Sequence, residues 1–329
     1  MKILITGATG YIGYKLAMEA VRRNYSVHIL VRDAKSPLLP VHPNIKVFKG
    51  DITDKETVLA AMKDCTKVMH AAAIAKLSAR DNSIFYTVNV EGTRNMLDAA
   101  LQLGVKKFVF TSSGGVIGPS GKFPMSENDP RIIAFENDYE ISKHWAEELV
   151  KEYCRRGLFA VIVAAQRVYG PGHECNGNTM NVLLKKILST KLAFVPSCDE
   201  VVANYVFIDD VVNGHFLAMD KGLGGEKYIL GGENLSYRSF FQQIKNAAGK
   251  HIRLIRIPKS IIRFWSVLHV IICGLLKRET HISPKVIDRL AQNRALCADK
   301  AKRQLGYSIT PFAEGIQKTI LHLKTKNYA

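Results

Sequence analysis

The chain lacks several features that define special classes of protein. Its six cysteines are scattered over 329 residues without a CxxC pair, and no histidine cluster has the spacing of a metal site. This excludes a disulfide framework and gives no reason to assign a metal. Repeats and low-complexity segments are also missing, which excludes a solenoid. We therefore predict reduced thiols and a cytoplasmic setting.

Long hydrophobic runs are missing as well. The apolar start, Met1–Ile5, is too short for a signal peptide, so we expect mature protein from residue 1. The uncharged segment Phe264–Leu276 has thirteen residues, too few to predict a membrane span. It is flanked by Arg263 and Lys277-Arg278. One interpretation is a buried helix of a C-terminal lobe. The other, for residues 261–278, is a helix that admits substrate or contacts an anionic membrane surface.

Acidic residues are scarce relative to basic ones. The chain has 46 Lys and Arg against 29 Asp and Glu, a formal net charge of +17. Residues 250–329 contribute +12 of this, from 16 basic and 4 acidic residues. Such a basic region is suited to binding nucleic acid, an anionic membrane surface or acidic substrates. The alternative is a basic surface that contacts only solvent. No nucleic-acid module accompanies it, so we predict no nucleic-acid partner.

The first half of the chain alternates β-branched runs with amphipathic helical stretches, including one long helix predicted over Phe85–Leu103. This pattern predicts an α/β fold of the Rossmann type, a doubly wound parallel sheet, with a smaller and mostly helical C-terminal lobe. We predict a nucleotide-binding core of residues 1–170, which 201–230 rejoin, and a substrate-binding lobe of residues 171–200 and 231–329.

A glycine-rich turn follows the first predicted strand and precedes a helix. Glycines at such a turn permit a tight bend, close approach of backbone to a pyrophosphate and close helix–strand packing, while the helix N-terminus supplies N–H groups for phosphate. We predict a dinucleotide site formed by Gly7, Ala8, Thr9, Gly10, Tyr11, Ile12 and Gly13.

The end of the second strand bears on the choice of dinucleotide. An acidic residue there would bind the ribose 2′-hydroxyl of NAD, but the strand ends in Val31 and Arg32. The Arg32 guanidinium suits a 2′-phosphate, with Lys35 as a second cation, which favours NADP(H). NAD(H) is the alternative if Asp33 binds the ribose.

Taken together, the chain resembles the extended short-chain dehydrogenase/reductases, the NAD-dependent epimerase/dehydratase superfamily. The matching segments keep the family's order over about residues 1–250 and are Gly7–Gly13, Gly50–Asp54, His70–Ala73, Asn89–Thr93, Thr111–Ser113, Tyr139-x-x-x-Lys143, Tyr169–Gly172 and Ile208–Val211. The resemblance implies adenine contacts at Asp51 and Ile52. It places Ala71, Ala72 and Ala73 beneath the nicotinamide and Asn89 near the catalytic lysine. It also implies a homodimer through the helix that holds Tyr139.

The predicted catalytic set is Ser113, Tyr139 and Lys143. Tyr139 and Lys143 are four residues apart, so they share one face of a predicted helix. A nearby ammonium would lower the pKa of the tyrosine from about 10. The resemblance implies that Lys143 also binds the nicotinamide ribose. Ser113 would hydrogen-bond the substrate oxygen, with Ser112 as the alternative serine. The set predicts hydride transfer at a carbonyl or carbinol carbon, with Tyr139 exchanging the proton.

Two departures bear on the substrate. Sugar-nucleotide members of the family carry Arg-Pro where this chain has Ala164-Ala165, and often an arginine where it has Ala203-Asn204. The resemblance therefore favours the dihydroflavonol-reductase-like and 3β-hydroxysteroid-dehydrogenase-like branch. We predict an oxidoreductase for a small hydrophobic ketone, aldehyde or alcohol, such as a lipid, steroid or flavonoid. A sugar-nucleotide epimerase or dehydratase is the alternative, and an NADP-sensing binding protein is the least favoured.

Overall fold

The computed structural model describes residues 1–76, 79, 81–173, 178–249, 251–276 and 284–326. The strands are β1 (Lys2–Thr6), β2 (Ser26–Val31), β3 (Ile45–Lys49), β4 (Lys67–His70), β5 (Lys107–Ser113), β6 (Ala160–Ala165), β7 (Val168–Tyr169), β8 (Leu192–Pro196), β9 (Val202–Phe207), β10 (Lys227–Ile229), β11 (Glu233–Ser236) and β12 (Arg253–Ile257). The helices are α1 (Tyr11–Arg22), α2 (Lys55–Met62), α3 (Ser83–Tyr86), α4 (Gly92–Gln102), α5 (Gly114–Ile117), α6 (Asp138–Arg155), α7 (Thr179–Thr190), α8 (Ile208–Lys221), α9 (Tyr237–Ala248), α10 (Lys259–Leu275), α11 (Pro284–Leu290), α12 (Asp299–Leu305) and α13 (Phe312–Lys326).

The main sheet has seven parallel strands in the order β10-β6-β5-β4-β1-β2-β3. Alternate residues of β1 enter two different cores: Ile3 and Ile5 pack on one face and Leu4 on the other. Helices therefore cover both faces, which confirms the predicted doubly wound sheet. The strand order reverses between β1 and β4, and ligands of such sheets bind at the carboxyl ends of the strands beside that reversal.

Two smaller sheets accompany the helices of the C-terminal lobe, which is thus less purely helical than the sequence predicts. One has the order β11-β9-β7 and the other pairs β12 with β8. Of the segment 201–230, α8 packs against α1 and β10 joins the main sheet, whereas β9 pairs with β7 and β11. The lobe has its own core, in which Tyr205 stacks on Phe240 with 4.4 Å between ring centroids.

The helix predicted over Phe85–Leu103 is interrupted. A π-helical turn, Thr87–Glu91, separates α3 from α4. The amide of Asn89 in this turn is held by the backbone of Ile74 and by Ser142. We attribute the interruption to these side-chain hydrogen bonds, which the apolar periodicity does not encode; such turns are frequent at functional sites.

Candidate active site

The glycine turn lies against the carboxyl end of β4. Gly7 has a φ of +74°, and a Cβ there would lie 2.8 Å from the backbone of Ala71. A Cβ on Gly13 would lie 2.1 Å from the Gly7 carbonyl oxygen. Both positions therefore require glycine, for backbone conformation and for close packing of α1 on β1.

The start of α1 is open to an anion. Its N-cap, Gly10, makes no side-chain capping hydrogen bond, and the first turn has no acidic residue. The N–H groups of a first helical turn have no partner within the helix, and the helix dipole favours negative charge there. These residues fit the pyrophosphate of a dinucleotide. The side chains of Ala8 and Tyr11 are buried, and the Tyr11 hydroxyl donates to the Gly170 carbonyl (2.8 Å), so both would contribute through their backbone.

The residues predicted to bind the nucleoside lie along the same edge of the sheet. Arg32 and Lys35 are exposed just beyond the end of β2, and the Asp33 carboxylate accepts a hydrogen bond from the Lys35 N–H (2.9 Å). Asp51 accepts from the backbone and hydroxyl of Thr53. Ile52 is buried against Gly92. The Ala72 N–H donates to the Thr6 hydroxyl (3.2 Å), which ties the predicted nicotinamide segment, Ala71 to Ala73, to the end of β1.

Ser113 and Tyr139 meet at the carboxyl end of β5. The Ser113 side chain interacts with Tyr139 and lowers the pKa of the tyrosine, and the Ser113 hydroxyl accepts from the Gly115 N–H (3.1 Å). Burial raises the pKa of Tyr139, while the hydrogen bond with Ser113 and the charge of Arg289 lower it. The alternative serine, Ser112, points to the other side and donates to Glu147.

Lys143 lies one turn beyond Tyr139 on α6 and is buried. Its ammonium donates to the Thr111 carbonyl (2.5 Å) and lies 4.0 Å from the centroid of the Phe110 ring. Burial lowers the pKa of Lys143 to about 7, against an opposing effect of Glu147. The predicted effect of Lys143 on the pKa of Tyr139 therefore stays a prediction. In this structure the lysine interacts with β5, and the charge of Arg289 lowers the pKa of Tyr139 against the larger effect of burial.

Asn89 is buried behind the catalytic helix. Its amide nitrogen donates to the Ser142 hydroxyl (2.9 Å) and to the Ile74 carbonyl (3.2 Å), and its oxygen accepts from the Ile74 N–H (2.8 Å). Ser142 lies between Tyr139 and Lys143 in the sequence. Asn89 thus joins α6 to the segment that follows β4, and it touches neither Tyr139 nor Lys143 by a hydrogen bond within the described part of the chain.

Sequence reasoning missed a buried ion network beside Tyr139. Glu140 is fully buried and pairs with Arg131 (2.7 Å) and Arg289, while Arg294 pairs with Glu136. The four-residue spacing of Glu136 and Glu140 at a helix start was the only signal. Their arginine partners on and after α11 are about 150 positions away, so no local pattern identifies them.

The fold and this geometry agree with the comparison to known families. A model of the NAD-dependent epimerase/dehydratase family matches residues 3–231. The chain belongs to this family. Its members depend on a nicotinamide cofactor, and the chain is accordingly an enzyme of the epimerase/dehydratase superfamily with oxidoreductase relatives. The sequence-based family resemblance is thereby confirmed.

Individual relatives cover almost the whole chain. A putative dihydroflavonol 4-reductase of Synechocystis sp. is 26% identical over 335 residues, with 98% of this chain and 95% of the relative covered. The 3-beta-hydroxysteroid dehydrogenase of Mycolicibacterium neoaurum is 26% identical, with 93% and 86% covered. Among solved structures, the UDP-glucose 4-epimerase of Thermus thermophilus in complex with NAD is 25% identical, with a TM-score of 0.79 over 98% of this chain and 99% of that one.

Proposed function

We propose that this family member is an NADP(H)-dependent oxidoreductase that interconverts a ketone or aldehyde and an alcohol on a hydrophobic substrate. The observation that carries the proposal is the placement of Tyr139 beside Ser113 at the carboxyl end of β5, with Lys143 one turn further along α6. A dinucleotide whose pyrophosphate lies at the glycine turn would supply or accept the hydride through its nicotinamide.

Ser113 and Tyr139 have different roles in the proposed proton transfer. In the reducing direction Ser113 holds the carbonyl oxygen and Tyr139 donates its proton to it, which leaves the alcohol. Because burial raises the pKa of Tyr139, the phenol keeps its proton at neutral pH, and this favours reduction. Alcohol oxidation needs the phenolate, which the charge of Arg289 stabilises. We therefore expect oxidation to accelerate towards alkaline pH.

The residues at the positions where sugar-nucleotide enzymes carry an arginine support a hydrophobic substrate. Ala164 and Ala203 are fully buried, and the Asn204 amide is used within the fold, because its nitrogen donates to the Gly232 carbonyl (3.0 Å) and to Asn234 (2.9 Å). None of these residues offers a cation to a diphosphate. The relatives named dihydroflavonol 4-reductase and 3-beta-hydroxysteroid dehydrogenase support the same class of substrate.

The first experiment measures thermal stability and turnover with NADPH, NADH, a panel of apolar ketones and a panel of UDP-sugars. We expect stabilisation and turnover with NADPH and an apolar ketone, since a ligand that binds only the folded state raises the melting temperature. Stabilisation by a UDP-sugar together with NAD would contradict the proposal. The similarity to UDP-glucose 4-epimerase makes that outcome the competing function.

The cofactor preference is tested separately at Arg32. The variant Arg32→Ala should weaken NADPH binding by about tenfold or more, since it removes a charge-assisted contact to the 2′-phosphate, and should leave NADH binding nearly unchanged. Lys55→Ala, which removes another exposed cation, is the control. Equal loss for both dinucleotides would contradict the role of Arg32.

A further inference from the structure

Helix α10 exposes many of its bulky apolar side chains. Its inward side includes Ser266, 1% exposed, and Cys273, 9% exposed, whereas Phe264 and Trp265 are 66% and 61% exposed. A helix that packs only within its own domain buries its bulky apolar side chains and exposes the polar ones. Further apolar residues of this segment are also exposed, namely Ile261, Val267, Ile271, Ile272 and Leu276.

The inward polar groups are satisfied within the helix. The Ser266 hydroxyl donates to the Arg263 carbonyl (2.6 Å), and the Cys273 thiol lies 3.6 Å from a ring nitrogen of His269. The helix therefore need not turn about its axis to give the Ser266 hydroxyl and the Cys273 thiol an interaction partner. An exposed apolar side of this extent is typical of a surface that binds a partner.

The small sheet whose strand β12 leads into α10 also exposes apolar side chains. Phe194 and Ile255 are directly opposite each other on β8 and β12, and both are exposed. Arg253 is exposed on the same face of β12 as Ile255, because side chains two residues apart share a face of a strand. Lys259 and Arg263 at the start of α10 share one carboxylate, Asp288. We call the exposed apolar residues of 261–276 with Phe194, Ile255, Arg253 and Arg263 the docking surface.

We propose that the docking surface binds an anionic lipid bilayer, with α10 lying in the plane of the interface. An apolar stripe that carries a tryptophan and is bordered by cations matches the order of a bilayer surface, in which acyl chains lie beneath anionic headgroups. The complementary charge is local, since Arg253, Lys259 and Arg263 supply three cations against the single carboxylate of Asp288. Within the described part of the chain no helix has both the length and the apolarity to cross a bilayer, so a helix that lies on it is the consistent geometry.

A second copy of the chain fits this surface less well. In a two-fold dimer the same patch meets itself, so the cations of both copies would approach one another. An anionic bilayer supplies the opposite charge instead. The docking does not depend on the proposed reaction, although a bilayer would also concentrate an apolar substrate beside the lobe.

Trp265 makes the proposal measurable, because the chain has only one other tryptophan, Trp145. The full chain with Trp145→Phe should float with phosphatidylcholine vesicles that contain phosphatidylglycerol, and its emission should shift to the blue. Pure phosphatidylcholine vesicles should bind about tenfold less protein, and high salt should reduce binding to the anionic vesicles.

Matched variants separate the docking surface from the rest of the protein. Phe264→Ser with Trp265→Ser should lower vesicle binding at least about tenfold, judged by flotation. Phe123→Ser with Leu223→Ser, at two exposed apolar positions elsewhere, should leave binding unchanged. Arg253→Gln with Arg263→Gln should lower vesicle binding about tenfold, whereas Lys63→Gln with Lys106→Gln should have little effect.

Three outcomes would overturn the proposal. One is an absence of flotation and of an emission shift with anionic vesicles. Another is equal loss in the docking-surface and control variants. The third is a concentration-dependent dimer that the Phe264→Ser, Trp265→Ser variant dissociates, in which case the surface binds a second copy.

Discussion

Helices α6 and α10 both contradict the rule that apolar side chains are buried and charged ones exposed, but in opposite ways. Helix α6 buries three ionisable residues, Glu140, Lys143 and Glu147. Helix α10 leaves Phe264 and Trp265 largely exposed. A buried charge and an exposed apolar side chain both call for an interaction partner. The two helices differ in where that partner lies.

The partners of α6 lie inside the protein. Glu140 is paired with Arg131 and Arg289, and Glu147 with Lys227 (2.5 Å). Such pairs are seldom strongly stabilising, but breaking one leaves an uncompensated buried charge. The charges on this helix are therefore better explained by the chemistry at Tyr139 than by stability. The apolar surface of α10 has no comparable cover within the described part of the chain.

The largest expected effect is a loss of turnover. It compares a variant at the site on α6 with a variant on the exposed side of the same helix. Tyr139→Phe removes the proton donor and should lower turnover about 10²–10⁴-fold, with NADPH binding retained. Trp145→Phe, on the exposed side of the same helix, should keep near-normal turnover. Steady-state kinetics and cofactor titration measure both. Full turnover in Tyr139→Phe would show that another group exchanges the proton.

The next effect is on stability and tests the internal pairing of α6. Glu140→Gln leaves the Arg131 guanidinium without its carboxylate and Arg289 with only Glu136, and should lower the free energy of unfolding by about 3–5 kcal/mol. Glu152→Gln, in the exposed pair with Arg156 on the same helix, should change it by less than about 1 kcal/mol. Denaturant unfolding compares them, and similar losses would refute a special role for the buried network.

A third, smaller effect is the pH dependence that Lys143 contributes. The pKa of Lys143 is about 7 in the folded protein, and the ordinary lysine value of 10.5 applies in the unfolded chain. Between these values the unfolded chain binds a proton that the folded protein does not, so the free energy of unfolding should rise with pH, by about 1.4 kcal/mol per pH unit at most. Lys143→Met should remove this slope, and Lys151→Met, half exposed on the same helix, should retain it. An identical slope in both would mean that Lys143 titrates normally.

Much of the main fold could be predicted because it depends on local patterns. The alternation of β-branched runs with amphipathic stretches predicts the parallel sheet, and Gly7 and Gly13 are needed where the glycine-rich turn is predicted. Tyr139 and Lys143 share a helix, so their proximity is also a local property. The roles assigned to the individual site residues stay predictions.

What could not be predicted depends on contacts between distant segments. The π-helical turn follows from the pairing of Asn89 with Ser142, 53 residues away. The cation beside Tyr139 is Arg289, which a search for the nearest lysine in sequence overlooks. The sequence showed that residues 264–276 are apolar, but their orientation depends on which side of α10 meets the lobe.

The smallest expected effect is on stability and concerns the exposed apolar side chains of α10. Phe264→Ser with Ile271→Ser should change the free energy of unfolding in lipid-free buffer by less than about 1 kcal/mol, because both side chains are more than half exposed. Phe240→Ala, in the core of the lobe, should cost about 3–5 kcal/mol. If the α10 pair proved as costly as Phe240→Ala, these side chains would pack inside the protein. Helix α10 would then be an internal element like α6, and its apolar side would need no bilayer.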